Sequence, residues 1–235
     1  MIAILPARGG SKRIPHKNIA DFFGKPMIAY ALEAARSSNL FKTIHVSTDS
    51  DSVADAVKTL GFPIDFRRDP ALADDVTPLM PVLRWVLETY EAKGRHFETV
   101  CLLMPCAPLV EASDLIEAHR VFTSHSGRKP VMAVAAFPVP VEWAYSRRED
   151  GSLVPVNPGA YAIRSQDLEK KFYDAGAFYF YHRNHILSEK PVRDEDYASY
   201  VLPRTKAVDI DDEDDLKLAR ALYQALPRGG KVPAR

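Results

Sequence analysis

The chain opens with the stretch Ile2-Ala3-Ile4-Leu5-Pro6-Ala7-Arg8-Gly9-Gly10-Ser11-Lys12-Arg13-Ile14-Pro15-His16-Lys17-Asn18. Its first residues form a short apolar run that predicts a buried strand. This strand leads directly into a glycine-rich and strongly cationic loop. Glycines let the backbone approach phosphate oxygens, while N–H groups and basic side chains stabilise the negative charge. The stretch therefore predicts a polyphosphate cradle at the end of the first strand.

The cradle loop does not follow the two best-known nucleotide-binding patterns. It contains neither the G-x-x-x-x-G-K-[ST] of a Walker A loop nor the G-x-G-x-x-G of a dinucleotide site. The alternative interpretation is a basic surface turn that only adds charge. The position of the loop directly after a strand favours phosphate binding over that alternative.

The composition indicates one globular domain, or one domain with a small appendage. The 235 residues are 46% hydrophobic and carry 31 basic and 31 acidic side chains. Polynucleotide-binding proteins usually have a basic excess, so the balanced charge argues against such a partner. No apolar run approaches the roughly 20 residues that span a bilayer, and we expect no signal peptide. Because two cysteines are too few for a disulfide framework, a cytoplasmic protein is expected.

Apolar runs alternate with segments of helical period along the chain. The predicted strands cover residues 2–5, 44–48, 64–66, 100–104, 131–137 and 177–181. The predicted helices cover residues 27–35, 49–60, 83–90, 115–122 and 216–226. This order is typical of an α/β fold with a Rossmann-like, mostly parallel sheet and helices on both faces. Ligands of such sheets bind beyond the carboxyl ends of the strands, which is where the cradle loop lies.

The alternation is interrupted once, by a segment rich in proline. We expect residues 1–227 to form a single domain in which residues 138–175 are an insertion. Residues 183–206 are predicted to be a long irregular crossing between the last strand and the last helix. Residues 228–235 are predicted to be a frayed tail.

A second charged feature, Val208-Asp209-Ile210-Asp211, precedes the last helix. If this segment is extended, Asp209 and Asp211 point to the same face. Mg²⁺ takes one or two carboxylates together with phosphates and waters, so these two residues are the predicted ligands of Mg²⁺ or Mn²⁺. The acidic residues 212–215 are explained by the start of the helix, where negative charge is favourable.

The cradle motif resembles the signature of the CMP-sialic acid synthetase family, the cytidylyltransferases that activate nonulosonic acids. The residues that match this signature are Arg8, Ser11, Lys12, Pro15, Lys17 and Asn18. The resemblance implies a nucleotidyltransferase fold and the transfer of CMP from CTP to a nine-carbon sugar acid, with release of pyrophosphate. It also implies magnesium at the Asp-Ile-Asp segment and a homodimer whose contact the insertion helps to build.

The resemblance and the loop chemistry together suggest a role for each site residue. The cations that act on the triphosphate would be Arg8, Lys12 and Lys17. The nucleotide would also be bound by Ala7, Gly9, Gly10, Ser11 and Asn18. The stretch from Arg67 to Asp75 resembles a loop that touches the nucleotide in the family. Within it we assign the nucleotide contact to Arg67 and keep Arg68 as the alternative. The sequence identifies no general base.

Three residues are expected beside the sugar, namely Met104, Gln166 and Asp174. Met104 stands where the family usually has a polar residue. The segments 164–168 and 174–179 resemble the branch of the family that acts on pseudaminic acid, whereas enzymes for sialic and legionaminic acid tend to carry Asn-Gly-Ala. Pseudaminic acid is therefore favoured, with N-acetylneuraminate and legionaminate as alternatives.

Two alternatives from other classes remain open. A metal-dependent glycosyltransferase would use the Asp-x-Asp pattern of Asp49-Ser50-Asp51, but a three-residue match is weak and Asp51 could simply cap the next helix. A nucleotide-sensing module would keep the cradle and lack turnover. The joint presence of the lysines Lys12 and Lys17 and the two metal-type aspartates argues against that loss.

Overall fold

The computed structural model describes residues 1–190, 193 and 196–226. Its strands are β1 (Ile2–Pro6), β2 (Asp21–Phe22), β3 (Lys25–Pro26), β4 (Thr43–Ser47), β5 (Thr99–Leu103), β6 (Val131–Ala136), β7 (Tyr145–Arg147), β8 (Leu153–Pro155), β9 (Phe172–His182) and β10 (Ala198–Val201). Its α-helices are α1 (Ile28–Ser37), α2 (Asp51–Thr59), α3 (Leu79–Ala92), α4 (Ala112–Ser124), α5 (Arg183–Leu187) and α6 (Glu213–Ala225).

Six strands form the central sheet in the order β10-β6-β9-β5-β1-β4. Strand β1 pairs in parallel with β4 and β5, and β10 pairs in parallel with β6. Strand β9 runs antiparallel between β5 and β6. The predicted mostly parallel sheet is confirmed, and the carboxyl ends of β4, β1 and β5 lie side by side at one edge.

Both faces of the sheet are covered by helices, as β1 shows most clearly. Successive side chains of a strand point to opposite faces. Ala3 and Leu5 pack in a core with residues of α1, α2 and α4, whereas Ile2 and Ile4 pack with α3 and α5. Every residue of β1 is buried, as expected for a strand between two helical layers. None of the helices in the described part of the chain is long and apolar enough to cross a membrane.

Two predictions of local structure are wrong. Residues 64–66 form no strand. Instead, the ring of Phe66 packs 4.5 Å from that of His45 and 4.9 Å from that of Tyr90. The crossing predicted for residues 183–206 is not irregular throughout, because it contains α5 and β10. These elements are too short to show a period in the sequence.

The proline-rich segment between β6 and β9 folds into small pieces. It contains the β7–β8 hairpin and three short 3₁₀ turns, at Val141–Trp143, Ala160–Ala162 and Ser165–Asp167. The indole of Trp143 donates to the carbonyl of Ala160 at 3.1 Å and ties two of these turns together. The last residues of the predicted insertion, 172–175, belong instead to β9, so we use the name insertion for residues 137–171. The predicted tail, 228–235, lies outside the described residues.

Candidate active site

A cleft of about 560 Å³ opens at the carboxyl edge of the sheet beside the cradle loop, residues 7–18. Its walls come from the cradle loop, the loop 68–77, the segment 104–106 after β5, Gly176 of β9 and the segment before α6. The predicted site residues that it brings together are Arg8, Ser11, Lys12, Lys17, Asn18, Met104, Asp209 and Asp211. Five segments that are distant in sequence thus meet where α/β sheets usually bind ligands.

Asn18 holds the cradle loop in shape. Its side chain is buried, and its amide donates to the carbonyl of Arg8 at 2.9 Å. Its Oδ1 accepts a hydrogen bond from the thiol of Cys106 at 3.2 Å. Because one side chain links the beginning of the loop, its end and the segment after β5, Asn18 fixes the geometry of the cleft as well as lining it.

The predicted phosphate contacts Ala7, Gly9 and Gly10 lie outside the cleft lining. The N–H of Gly9 donates to Asp49 Oδ1 at 3.0 Å, so the first carboxylate of the rival Asp-x-Asp motif is engaged by the cradle backbone. A Cβ on Gly9 would lie 2.8 Å from the Cβ of Ser50, which caps α2. The glycine at position 9 is therefore required by packing against α2.

The structure separates the two arginines of the predicted nucleotide loop. Arg67 donates to the carbonyl of Ser50 at 2.5 Å and pairs with Asp51, away from the cleft lining. Arg68 lines the cleft, is only 4% exposed, and donates to the hydroxyl and the carbonyl of Ser47 at 3.0 and 2.7 Å. Burial lowers the pKa of Arg68. Of the two alternatives, Arg68 is the arginine in the cleft wall.

One carboxylate of the loop 68–77 bridges two cations of the cradle. Asp75 forms ion pairs with Arg8 and Lys12, and Arg8 also donates to the carbonyl of Asp74 at 3.0 Å. Hydrogen bonds from Lys12 and Arg8 lower the pKa of Asp75. The two cations therefore share one carboxylate from the opposite wall.

The other two cations of the cradle meet Asp211. The guanidinium of Arg13 lies 2.7 Å and the amine of Lys17 lies 3.2 Å from the carboxylate oxygens of Asp211. Lys17 also donates to the carbonyl of Ile210 at 2.6 Å. Burial acts to raise the pKa of Asp211, but the hydrogen bonds from Arg13 and Lys17 outweigh it, and the pKa is lowered.

Asp209 has the opposite electrostatic environment. Burial, followed by the negative charge of Asp211, raises its pKa. It packs against Gly176, which has φ +60° beside a bulge in β9, and a Cβ on Gly176 would lie 2.7 Å from Asp209 Oδ2. Only a glycine allows this close approach.

Asp209 and Asp211 could hold a divalent cation whose remaining coordination positions are filled by waters and phosphate oxygens. They line the same cleft, and the mutual repulsion of their charges is the kind that a cation relieves. No group of three or more metal-ligating side chains is gathered anywhere in the described part of the chain. Mg²⁺ suits such a sparse donor set, because it keeps waters and takes phosphate oxygens.

Of the residues predicted beside the sugar, Met104 lines the cleft and the other two do not. Asp174 accepts hydrogen bonds from the N–H of Gly176, at 3.0 Å, and from the hydroxyl of Tyr179. It thereby supports the bulge against which Asp209 packs. Gln166 lies exposed in a 3₁₀ turn of the insertion.

Sequence reasoning assigned no role to Arg13 or Asp75, which the structure places in the cleft. Arg13 lies in the cradle loop, but the residue that matches the family signature is its neighbour Lys12. Asp75 follows Asp74, whose carboxylate accepts from the N–H groups of Val76 and Thr77 at 3.0 and 2.6 Å. Such an aspartate-capped turn predicts a loop, and only the fold shows that the carboxylate of Asp75 contacts the cradle.

The chain is similar to known proteins over most of its length. A family model described as Cytidylyltransferase matches residues 2–119. A pseudaminic acid cytidylyltransferase of Campylobacter jejuni subsp. jejuni serotype O:23/36 is 36% identical over 223 residues, which cover 95% of this chain and 96% of that protein. A CMP-N,N'-diacetyllegionaminic acid synthase of Campylobacter jejuni subsp. jejuni serotype O:2 is 32% identical and covers 94% of each chain. A CMP:2-keto-3-deoxy-manno-octonic acid synthetase solved with CTP shares the fold, with a TM-score of 0.68, 19% identity and coverage of 96% and 99%.

Proposed function

The chain belongs to the cytidylyltransferase family, and from that membership we propose that it transfers CMP from CTP to a nonulosonic acid, with pseudaminic acid as the favoured acceptor. The observation that carries this proposal is a cleft that is lined both by four cations of the cradle loop and by the two carboxylates of the segment before α6. Such a cleft suits a triphosphate with a divalent cation. The relatives named for pseudaminic and legionaminic acid match almost the whole chain, which supports an acceptor of this class.

The proposed reaction needs alignment and charge stabilisation more than covalent help from the protein. The anomeric hydroxyl of the sugar attacks the α-phosphorus of CTP. Its P–O bond forms as the bond to the β-phosphate oxygen breaks, pyrophosphate leaves and the hydroxyl proton is lost. Arg8, Lys12 and Lys17 would stabilise the negative charge that spreads over the phosphate oxygens, and Ser11 would donate a hydrogen bond.

Mg²⁺ or Mn²⁺ is the proposed cofactor, with Asp209 and Asp211 as its ligands. A bound divalent cation supplies charge neutralisation to the triphosphate. The proposal is supported by the shared cleft position of the two carboxylates and by the raised pKa of Asp209. Arg13 would exchange its contact with Asp211 for the phosphates.

A homodimer is the proposed assembly, and the insertion is the proposed contact. Large hydrophobic side chains are exposed there in unusual number, namely Phe137, Val139, Val141, Tyr145, Leu153, Val156, Tyr161 and Ile163. Exposed apolar residues gathered in one region usually mark an interaction site. A second copy of the chain is the partner implied by the family resemblance.

Alternative functions are less well supported. A glycosyltransferase that binds its metal through Asp49 and Asp51 would need these carboxylates in the cleft, yet neither lines it and both are engaged by neighbouring residues. N-acetylneuraminate and legionaminate remain the alternative acceptors. The cytoplasmic location stays a prediction.

The direct test is the release of pyrophosphate from each nucleoside triphosphate in the presence of each acceptor. We expect release only with CTP, a divalent cation and a nonulosonic acid, and faster release with pseudaminic acid than with N-acetylneuraminic or legionaminic acid. Equal use of the three acids would refute the preferred acceptor and leave the reaction class intact. Absence of release with every acid would refute the function itself.

A further inference from the structure

We propose that Asp75 is an internal competitor of the triphosphate, which must displace its carboxylate from Arg8 and Lys12 in order to bind. The inference rests on the proposed function and adds to it a residue that sets the affinity for polyphosphate. Asp75 belongs neither to the cradle nor to the predicted metal pair. In the structure its carboxylate bridges two of the cations that a triphosphate would need.

The carboxylate of Asp75 makes the contacts with Arg8 and Lys12 that we expect a phosphate to make. One carboxylate oxygen meets the guanidinium of Arg8, and the other meets the amine of Lys12. Two oxygens carrying one negative charge thus span two cations, as neighbouring phosphate oxygens would do. The pairs lower the pKa of Asp75, so the carboxylate is ionised at neutral pH.

The loop that carries Asp75 is built to present it at this place. Its neighbour Asp74 caps the turn through two backbone N–H groups, and the carbonyl of Asp74 accepts from Arg8 at 3.0 Å. Earlier in the loop, Asp69 accepts from the N–H of Ala71 at 2.9 Å and starts a 3₁₀ turn at Pro70. The loop therefore keeps its form through contacts that do not involve the carboxylate of Asp75.

The competition acts on polyphosphates rather than on monophosphates. The side chains of Asp75 and Lys12 are 40% and 78% exposed, so each ion pair is weak and can be replaced from solvent. A ligand gains from the exchange only if it offers anionic oxygens to both cations at once. In the proposed reaction Arg8 and Lys12 bind the phosphates that leave as pyrophosphate. CTP and pyrophosphate therefore contact both cations, whereas CMP lacks these phosphates. Asp75 would thus lower affinity for the polyphosphates and promote the departure of pyrophosphate after transfer.

The test measures binding of inorganic pyrophosphate and of CMP to the full chain by calorimetry, without any sugar. We expect Asp75→Asn to tighten pyrophosphate binding by roughly threefold to tenfold, since weak exposed ion pairs are removed, and to change CMP binding by less than about twofold. Glu117→Gln is the matched control, because it removes the same charge from an exposed ion pair with Arg120 on α4. The control should leave both affinities unchanged.

Three results would contradict the proposal that Asp75 competes with polyphosphates. These are unchanged or weaker pyrophosphate binding in Asp75→Asn, an equal gain for CMP, and an equal gain in the Glu117→Gln control. If Asp75→Asn melts well below the parent protein, Asp75→Ser is used in its place. A parent protein that binds neither pyrophosphate nor CMP would overturn the proposed function together with the competition, whereas the other outcomes leave that function standing.

Discussion

The cleft and the insertion are both surface regions, yet their side chains are arranged in opposite ways. In the cleft, each of the four cradle cations contacts a carboxylate of another segment. In the insertion, large apolar side chains such as Val139 and Tyr161 remain 60% and 72% exposed. The cleft holds charges that a charged ligand can exchange, whereas the insertion holds apolar surface that only another apolar surface can cover. The difference indicates a small-molecule site in one region and a protein contact in the other.

The largest expected effect tests the charges of the cleft. Replacing Asp209 and Asp211 together by asparagine keeps their shape and removes the charge that would hold a divalent cation. We expect turnover to fall by about a thousandfold and to need far more Mg²⁺, because metal neutralisation of phosphate contributes several kcal/mol. The measurement is pyrophosphate release across a magnesium titration.

Asp214→Asn is the control for this double variant, since its carboxylate is exposed and pairs only locally with Lys217. Full activity of the double variant in excess chelator would show that the two aspartates serve another purpose. A larger loss of metal dependence in Asp49→Asn with Asp51→Asn would favour the glycosyltransferase alternative.

A somewhat smaller effect is expected from a single cation of the cradle. Lys12→Ala should lower kcat by about a hundredfold, because it removes one positive charge from the developing charge of the phosphates. The melting temperature should hardly change, since the side chain is 78% exposed and contacts a surface carboxylate. Lys25→Ala is the matched control, because Lys25 pairs with Glu33 outside the cleft. Near-normal turnover in Lys12→Ala would mean that the loop is not a phosphate cradle.

The proposed role of the insertion as a dimer contact is tested by measuring self-association. Leu153→Asp places a charge on the exposed hairpin of the insertion, and Leu218→Asp does the same on exposed α6. We expect the first variant to weaken dimerisation at least tenfold, which corresponds to about 1.4 kcal/mol, and the second to leave it unchanged. Sedimentation velocity over a range of concentrations measures both. A parent protein that is monomeric at all concentrations, or equal effects of the two variants, would contradict the assignment of the contact to the insertion.

The smallest expected effect is a pH-dependent loss of stability caused by His45 in strand β4 of the central sheet. Burial lowers the pKa of His45 to about 4, whereas the unfolded chain titrates near 6.5. Below pH 6.5 His45 therefore binds a proton in the unfolded state but not in the folded state. The free energy of unfolding falls as a result until the pH nears 4. Between pH 7.5 and 5.5 the loss should be roughly 1 kcal/mol. Urea unfolding at the two pH values measures it.

His45→Asn is the comparison variant for this pH effect. Tyr90 donates its hydroxyl hydrogen to Asp65 at 2.7 Å and lies 3.1 Å from Nδ1 of His45, so Nδ1 acts as the donor to Tyr90. The asparagine amide can donate in the same place and does not titrate. Its stability should vary less over this pH range, and an unchanged slope would assign the pH dependence to other groups.

Much of the fold could be predicted because its long elements are strongly periodic. The strands around Ile4, Val46 and Leu102 and the helices that follow them were found in the right order. The direction of β9 was not, because an antiparallel strand buried on both faces has the same apolar pattern as a parallel one. Short elements such as β10 carry too few residues for any period to be recognised.

The sequence predicted several residues of the cleft, but it did not predict which side chains they contact. Motif spacing identified Lys12, Lys17 and the two aspartates before α6. Motif spacing could not show that Asp75 contacts Arg8, because 67 positions separate the two residues and the local sequence around each carries no sign of the contact. It also did not show that the N–H of Gly9, a predicted nucleotide contact, donates to Asp49. Contacts between distant loops depend on the packing of the whole sheet.

The way the insertion is attached has a consequence for how such chains diversify. The chain leaves the sheet after Ala136 and returns at Phe172, and these two residues are register partners on neighbouring antiparallel strands. A short hairpin turn could close the same gap without moving either strand. Residues 137–171 are therefore an exchangeable module: a lineage can lengthen, shorten or replace them, and so change what the protein assembles with, while β6 and β9 keep their pairing.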